Sequence, residues 1–229
     1  MLKRIIHSSE SPAGLNAVIF APEEQPHNES GELPLIVYLH GAGERGANVE
    51  HVCRWGMPRL ITEGREIPAV ILAPQCPAWA VWDNLVREVK MMIDAAAVEY
   101  GIKRDRITLT GPSMGGFGTW MMGITYPSYF AGIAPVAGGG MSWRASKLCK
   151  TPVFVVHGES DGDVPIIYSR MMIDRVKAAS GTAELITLTG LGHGDAIEYA
   201  YEHTGLIDWL LAQRRTDFSE VKEVCWELF

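Results

Sequence analysis

A serine inside a glycine-rich segment is the residue of this sequence best suited to chemistry. The letters GPSMG at 111–115 match the pattern G-x-S-x-G, and they follow a predicted strand and open a predicted helix. Glycine on either side of the serine lets the strand and the helix pass closely, so that Ser113 is held at the tip of a sharp turn. The pattern predicts a nucleophile. The alternative is a glycine-rich helix start in which Ser113 is the N-cap.

A serine hydroxyl is a poor nucleophile until a base removes its proton. His193, in the glycine-rich segment LTGLGHGDA after the last predicted strand, is placed where an imidazole could extend over the edge of a sheet. His7 and His27 precede the sheet. His51 lies in a polar loop, and His203 falls inside the terminal predicted helix. We therefore predict that His193 is the base.

The base in turn needs an acid that orients it. The segment VVHGESDGDVP leaves a predicted strand and offers Glu159, Asp161 and Asp163. We predict Asp161, which leaves room for one helix and one strand before His193. Asp163 remains the alternative, and its other role would be to cap the following helix.

Attack on a carbonyl creates negative charge that positioned hydrogen-bond donors must stabilise. The segment YLHGAGERG, 38–46, is a glycine-rich turn directly after a predicted strand, and its amides can face the same site as the first amide of the nucleophile helix. We predict the backbone N–H groups of Ala42 and Met114 as donors, with Gly41 as the alternative to Ala42.

Three further residues of that turn are expected to support it. We predict that Glu44 and Arg45 form an ion pair that braces the loop. His40 is expected to be a structural hydrogen-bonding residue rather than a second base.

Short apolar segments alternate with helical patterns along the chain, which predicts a mainly parallel sheet with helices on both faces and a site at the carboxyl ends of the strands. The predicted strands are 35–40, 69–74, 106–111, 130–138, 152–158 and 183–190, and the predicted helices are 55–63, 84–100, 114–126, 166–180 and 195–213. We expect one domain over 1–229, with edge strands and a loop at 1–34 and a tail at 214–229. The polar segment 21–34 is predicted to be a hairpin connection between edge strands.

Composition excludes several classes of partner. The 229 residues carry a net charge of −7 with scattered Lys and Arg, which argues against nucleic acid and anionic membranes. No signal-like apolar segment and no run of about 18 apolar residues occurs, so a cytoplasmic location is expected, with secretion of a longer precursor as the alternative. The cysteines form no CxxC pair and predict thiols that are buried or half-buried rather than a metal site or disulfides; they are Cys53, Cys76, Cys149 and Cys225. We expect no metal and no cofactor.

The segments LHGAGERG, TGPSMGGFGTW, HGESDGDVP and GLGHGD, in this order and spacing, resemble the α/β-hydrolase superfamily. Within it they are similar to small bacterial esterases of the phospholipase/carboxylesterase and feruloyl-esterase-like group. The resemblance runs from about Leu35 to Gln213. It implies an eight-stranded, mostly parallel sheet and a catalytic triad of Ser113, Asp161 and His193.

Two features bear on the substrate. The connection between the strands ending near 138 and beginning near 152 is too short for a lid or cap domain, so an open site is expected. Trp143 in this connection, and Trp79 and Trp82 after another strand, could form aromatic walls for a flat acyl or aryl group. The alternative is that these tryptophans pack loops against the body.

The sequence thus predicts a serine carboxylesterase for short-acyl or aromatic, hydroxycinnamoyl-like esters, including esters derived from plant cell walls. The alternatives are a thioesterase or peptidase with the same triad, and a non-catalytic protein that binds small molecules on a hydrolase scaffold. The apolar residues of the tail at 214–229 could dock on the body or on a second subunit, which leaves a homodimer open.

Overall fold

The computed structural model describes residues 1–23 and 33–221. Eight strands and six α-helices alternate along most of this length. The strands are β1 (Leu2–Ile6), β2 (Ala17–Ala21), β3 (Leu35–Tyr38), β4 (Val70–Pro74), β5 (Ile107–Pro112), β6 (Gly132–Val136), β7 (Val153–Gly158) and β8 (Ala183–Leu188). The helices are α1 (Gly56–Thr62), α2 (Val86–Glu99), α3 (Met114–Thr125), α4 (Ile167–Ala178), α5 (His193–His203) and α6 (Leu206–Ala212).

All eight strands form one sheet in the order β1-β2-β4-β3-β5-β6-β7-β8. β2 pairs antiparallel with β1 and β4, and every other neighbouring pair is parallel. The predicted α/β class, with a mostly parallel sheet and helices on both faces, is confirmed. The loops after β3, β5, β7 and β8 therefore all leave from the same edge of the sheet.

Side chains of β3 show why both faces of the sheet are covered. Leu35 and Val37 are fully buried in a cluster with apolar residues of α2, α3 and α4. Ile36 and Tyr38 are fully buried in a second cluster with α1, α5 and α6. Successive residues of a strand point to opposite faces, so a strand covered on both faces has to be apolar throughout. Burial of each such side chain contributes about 1.5–3 kcal/mol.

Two sequence predictions about connections are wrong. The predicted helix 195–213 is two helices, because Gly205 between them has a left-handed φ of 72° that redirects the chain. The segment 21–34 is not a hairpin connection, because β4 lies between the two strands that it joins, β2 and β3. The edge hairpin is instead β1–β2. Most of 21–34 lies outside the described residues.

After α6 the chain crosses the edge of the sheet where the parallel strands begin. Arg215 is 4% exposed. Its backbone N–H donates to the carbonyl of Asp105, and its Nη1 donates to the carbonyl of Phe130 and to Oγ1 of Thr151. These three acceptors precede β5, β6 and β7. The described part of the tail is therefore docked on the body, and residues 222–229, with Cys225, lie outside the described residues.

Two remaining predictions concern thiols and membranes. Cys76 is buried, Cys53 and Cys149 are half-buried, and these three thiols, all in the described part of the chain, are in no disulfide, as predicted. Among the helices of residues 1–23 and 33–221, none is both long enough and apolar enough to cross a membrane.

Candidate active site

Ser113 lies on the turn between β5 and α3 in a backbone conformation that L-amino acids rarely adopt. Its φ is 55° and its ψ is −121°. The turn is held by a hydrogen bond of 2.9 Å from the Ser113 N–H to the Val136 carbonyl. A Cβ atom at Gly111 or Gly115 would lie 2.4 or 1.8 Å from the carbonyl oxygen of Leu39. Only glycine allows the backbone to come this close, which explains why small residues surround the serine.

The Ser113 hydroxyl contacts a histidine rather than its own helix. Its Oγ lies 2.9 Å from Nε2 of His193, and its side chain makes no capping hydrogen bond to α3. The N-cap interpretation of Ser113 is therefore wrong. Nδ1 of His193 lies 2.6 Å from Oδ2 of Asp161. Because a carboxylate accepts the hydrogen of Nδ1, Nε2 of the neutral ring is left to accept a proton from the serine.

Asp161 is held by backbone donors of its own loop. Its side chain is fully buried, and its Oδ1 accepts hydrogen bonds from the N–H groups of Asp163 at 3.0 Å and Val164 at 2.8 Å. These bonds leave Oδ2 for the histidine. The side chains of Asp163 and Glu159, the other acids of this loop, are exposed. The predicted capping role of Asp163 is wrong, because α4 has no side-chain cap.

His157, at the end of β7, supports the same loop, and the sequence analysis missed it. Its side chain is fully buried, with Nδ1 2.7 Å from Oγ of Ser169 and Nε2 2.8 Å from the carbonyl oxygen of Val164. Nε2 is also 3.4 Å from Oδ2 of Asp161. Burial lowers the pKa of His157, which favours the neutral ring. No local pattern marks this contact, because His157 lies on β7 and Asp161 in the loop that follows it, where a spacing of four residues carries no helical meaning.

The turn after β3 is fixed by His40. Its Nδ1 lies 2.6 Å from the carbonyl oxygen of Gly41, and its Nε2 accepts the N–H of Cys76 at 2.9 Å. Burial lowers the pKa of His40 to about 4, so the ring is neutral with the hydrogen on Nδ1. The predicted structural role of His40 is confirmed. The Gly41 carbonyl and the Ala42 N–H belong to one planar trans peptide and point in opposite directions, so His40 also fixes the direction of the Ala42 N–H.

Ala42 and Met114 each begin a helix, the 3-10 helix Ala42–Glu44 and α3. The N–H groups at the start of a helix have no acceptor within the helix. Both can therefore donate to an external oxygen. The N–H of Gly41, the alternative donor, instead faces the carboxyl group of Glu44.

The predicted ion pair between Glu44 and Arg45 is wrong. Arg45 donates from Nε to the carbonyl of Ala42 at 3.1 Å and from Nη1 to the carbonyl of Ala80 at 3.3 Å. The arginine therefore braces the loop through carbonyl groups. Glu44 turns inward and is 3% exposed.

The three tryptophans have different environments. Trp82 is 1% exposed, and its Nε1 donates to the carbonyl of His40 at 2.8 Å. It packs against Gly118 so closely that a Cβ atom added at Gly118 would lie 2.5 Å from the Cβ of Trp82. The prediction that Trp82 forms a substrate wall is therefore wrong, because its ring is enclosed by the protein. Trp79 and Trp143 are 81% and 49% exposed. Their role in substrate binding stays a prediction.

The described residues contain one group with the spacing of metal ligands. Ligand atoms of Asp161, Asp163 and His193 lie within 4.8 Å of one another. Two of the three already share the 2.6 Å hydrogen bond between Oδ2 and Nδ1. A cation held by all three would have to displace the proton on Nδ1.

The strand order, the serine on the β5–α3 turn, the acid after β7 and the histidine after β8 together define an α/β-hydrolase. Residues 17–200 match the Phospholipase/Carboxylesterase family. The protein belongs to this family.

Individual relatives are more distant. The chain is 24% identical over 268 residues to poly(3-hydroxyalkanoate) depolymerase C of Paucimonas lemoignei. The match covers 86% of this chain and 62% of the depolymerase. A solved thermostable esterase superposes with a TM-score of 0.77 and 28% identity, over 93% of this chain and 63% of that one. The chain thus spans less than two thirds of the length of both proteins.

A third relative is similar in fold alone. The feruloyl esterase module from Clostridium thermocellum, solved as a mutant complexed with sinapinate, superposes with a TM-score of 0.69 and 15% identity. The match covers 96% of this chain and 90% of the module.

Proposed function

We propose that the protein is a serine carboxylesterase that hydrolyses short-acyl or aromatic esters through an acyl-enzyme. The observation that carries this proposal is the continuous hydrogen-bonded chain from Oγ of Ser113 through His193 to the buried carboxylate of Asp161, with distances of 2.9 and 2.6 Å. The strained backbone at Ser113 supports it, because such strain is commonly retained at functional sites.

In the proposed reaction, Oγ of Ser113 attacks the ester carbonyl while Nε2 of His193 takes the hydroxyl proton. Asp161 holds the ring in the required tautomer and stabilises the imidazolium. The backbone N–H groups of Ala42 and Met114 donate to the oxyanion. When the carbon–oxygen bond to the alcohol breaks, the imidazolium gives its proton to the leaving alkoxide. Water, activated by the same histidine, then attacks the acyl-enzyme and releases the acid and the free serine.

The proposed acyl group is inferred from the connection between β6 and β7 and from Trp143. The connection between β6 and β7 contains a single 3-10 helix, Ser142–Leu148, within the described chain, which suits an open site. The half-exposed ring of Trp143 lies on this connection and is offered as a wall for a flat acyl group. The feruloyl esterase module complexed with sinapinate, similar in fold, makes hydroxycinnamoyl esters reasonable first substrates.

The test compares purified protein with the Ser113→Ala and Trp143→Ala variants on p-nitrophenyl acetate and methyl ferulate. We expect wild-type turnover of both esters, its loss in Ser113→Ala, and a selective loss of ferulate turnover in Trp143→Ala. Turnover that survives in Ser113→Ala would refute the nucleophile. Faster turnover of the thioester or amide of the same acyl group than of the ester would favour a thioesterase or a peptidase.

A further inference from the structure

Glu44 is a buried acidic residue that the proposed mechanism leaves without a role. It is 3% exposed and ends the 3-10 helix Ala42–Glu44 in the turn after β3. The backbone N–H groups of Gly41 and of Glu44 itself face its carboxyl group. Gln75 donates to the backbone carbonyl of Glu44, but within 1–23 and 33–221 no side chain forms a hydrogen bond or an ion pair with its carboxyl group. A buried carboxyl group stabilised by backbone N–H groups and by no side chain requires an explanation.

The carboxyl group lies beside the proposed nucleophile. A Cβ atom placed on Gly41 would be 3.3 Å from Oε2 of Glu44 and 3.8 Å from Cβ of Ser113. The carboxyl group of Glu44 and Cβ of Ser113 therefore both border the position that a side chain at residue 41 would fill. An oxyanion formed by attack of Ser113 and bound by the Ala42 N–H would lie in the same turn, one residue from Gly41.

The electrostatic surroundings leave the carboxyl group short of stabilisation. Burial raises the pKa of Glu44, and the negative charge of Glu198 acts in the same direction. The N–H groups of Gly41 and Glu44 and the positive charge of Arg54 oppose the rise without cancelling it. A hydrogen-bond donor brought by the substrate would supply the missing interaction, and it would also separate the carboxyl group from the developing oxyanion.

We propose that Glu44 is a specificity-determining residue that accepts a hydrogen bond from a substrate hydroxyl group close to the scissile carbonyl. The substrate class is then esters of hydroxy acids that carry the hydroxyl on the α or the β carbon of the acyl group. This inference rests on the proposed function, because it takes Ser113 as the nucleophile.

The test uses pairs of esters that differ by one hydroxyl group, namely methyl lactate with methyl propionate and methyl 3-hydroxybutyrate with methyl butyrate. Both enantiomers of each hydroxy ester are followed by acid release at constant pH. For at least one pair we expect the wild-type protein to prefer the hydroxy ester by about tenfold or more in kcat/KM, since a site built to bind a hydroxyl discriminates against its absence.

Variants assign that preference to Glu44. In Glu44→Met, which keeps the length of the side chain without its oxygens, the ratio of the two kcat/KM values should fall close to one. In Glu44→Gln, which keeps the shape and loses the charge, it should fall several-fold. The ratio within one variant does not depend on the fraction of protein that is folded. If the methionine variant does not fold, the glutamine variant alone provides the test. Glu184→Gln, at an exposed position of β8, should keep the wild-type ratio.

Equal turnover within both pairs by the wild-type protein, or an unchanged ratio in Glu44→Gln, would overturn the role of Glu44. If that happens while Ser113→Ala abolishes turnover, the esterase proposal stands and only this inference fails. Absence of Ser113-dependent turnover of every ester would overturn both.

Discussion

Asp161 and Asp163 are two residues apart, yet only Asp161 offers its carboxylate to His193. Asp161→Asn should lower kcat by about 10⁴-fold, because an amide can hold the imidazole in the wrong tautomer. Asp163→Asn should leave kcat within about fivefold of wild type, because its side chain is exposed and its backbone N–H bond to Asp161 is kept. Steady-state kinetics on p-nitrophenyl acetate measures both variants. The larger loss in Asp163→Asn would contradict this assignment.

Local patterns explain why the sequence could predict that Ser113, Asp161 and His193 lie close together. Each follows a predicted strand in a segment rich in glycine, and the topology of a parallel sheet brings such segments to one edge. Trp82 and Glu44 could not be judged in this way. Their burial depends on a space beside Gly118 and on a 3-10 turn, which arise only when distant segments pack together.

The close passage of α3 against the end of β3 depends on Gly115, the second residue of its helix. Gly115→Ala should lower the free energy of unfolding by at least about 3 kcal/mol, because the added Cβ would lie 1.8 Å from a backbone oxygen that cannot rotate away. Gly194, the second residue of α5, is the matched control, since a Cβ there meets nothing within 4 Å. Gly194→Ala should leave stability unchanged or raise it by up to about 1 kcal/mol. Urea denaturation measures both, and equal effects would contradict the packing described here.

His40 joins the turn after β3 to the end of β4, and this link should weaken in acid. Its pKa in the folded protein is lowered from 6.5 to about 4, so between these values the unfolded chain binds the additional proton. The stabilisation that the neutral His40 ring contributes to folding is therefore fully present above pH 6.5 and is lost as the pH falls toward 4. Between pH 7 and pH 4.5 the wild-type protein should lose about 2–3 kcal/mol more than His40→Gln. Urea denaturation at the two pH values tests this, and parallel losses in both proteins would refute it.

The connections between elements were harder to predict than the elements. The apolar spacing of 195–213 continues across Gly205, so the sequence pattern does not mark the break that its left-handed backbone creates. The segment 21–34 looks like a hairpin connection because it is polar and rich in turn residues. Whether β4 inserts between β2 and β3 is decided by long-range pairing, which a local pattern does not contain.

Across the whole molecule, a change at the edge where the parallel strands begin is expected to affect stability without affecting the activity of the proposed site at the opposite edge. Arg215 ties the tail to the edge where β5, β6 and β7 begin, whereas the proposed site lies where they end. Arg215→Ala should lower the free energy of unfolding by about 2–3 kcal/mol and leave kcat/KM within about twofold. The side chain of Arg214 is 43% exposed in its ion pair with Asp105. Arg214→Ala should therefore change the free energy of unfolding by less than about 1 kcal/mol. Loss of activity in a folded Arg215→Ala protein would contradict the separation.

The central claim is that Ser113 forms an acyl-enzyme, and the most direct measurement is the intact mass of the protein quenched in acid during turnover of p-nitrophenyl acetate. We predict a mass increase of one acetyl group, located by peptide mapping to the peptide that contains Ser113 and absent from Ser113→Ala. Steady turnover that is retained in Ser113→Ala, or an acetyl group located on another residue and required for turnover, would contradict the claim.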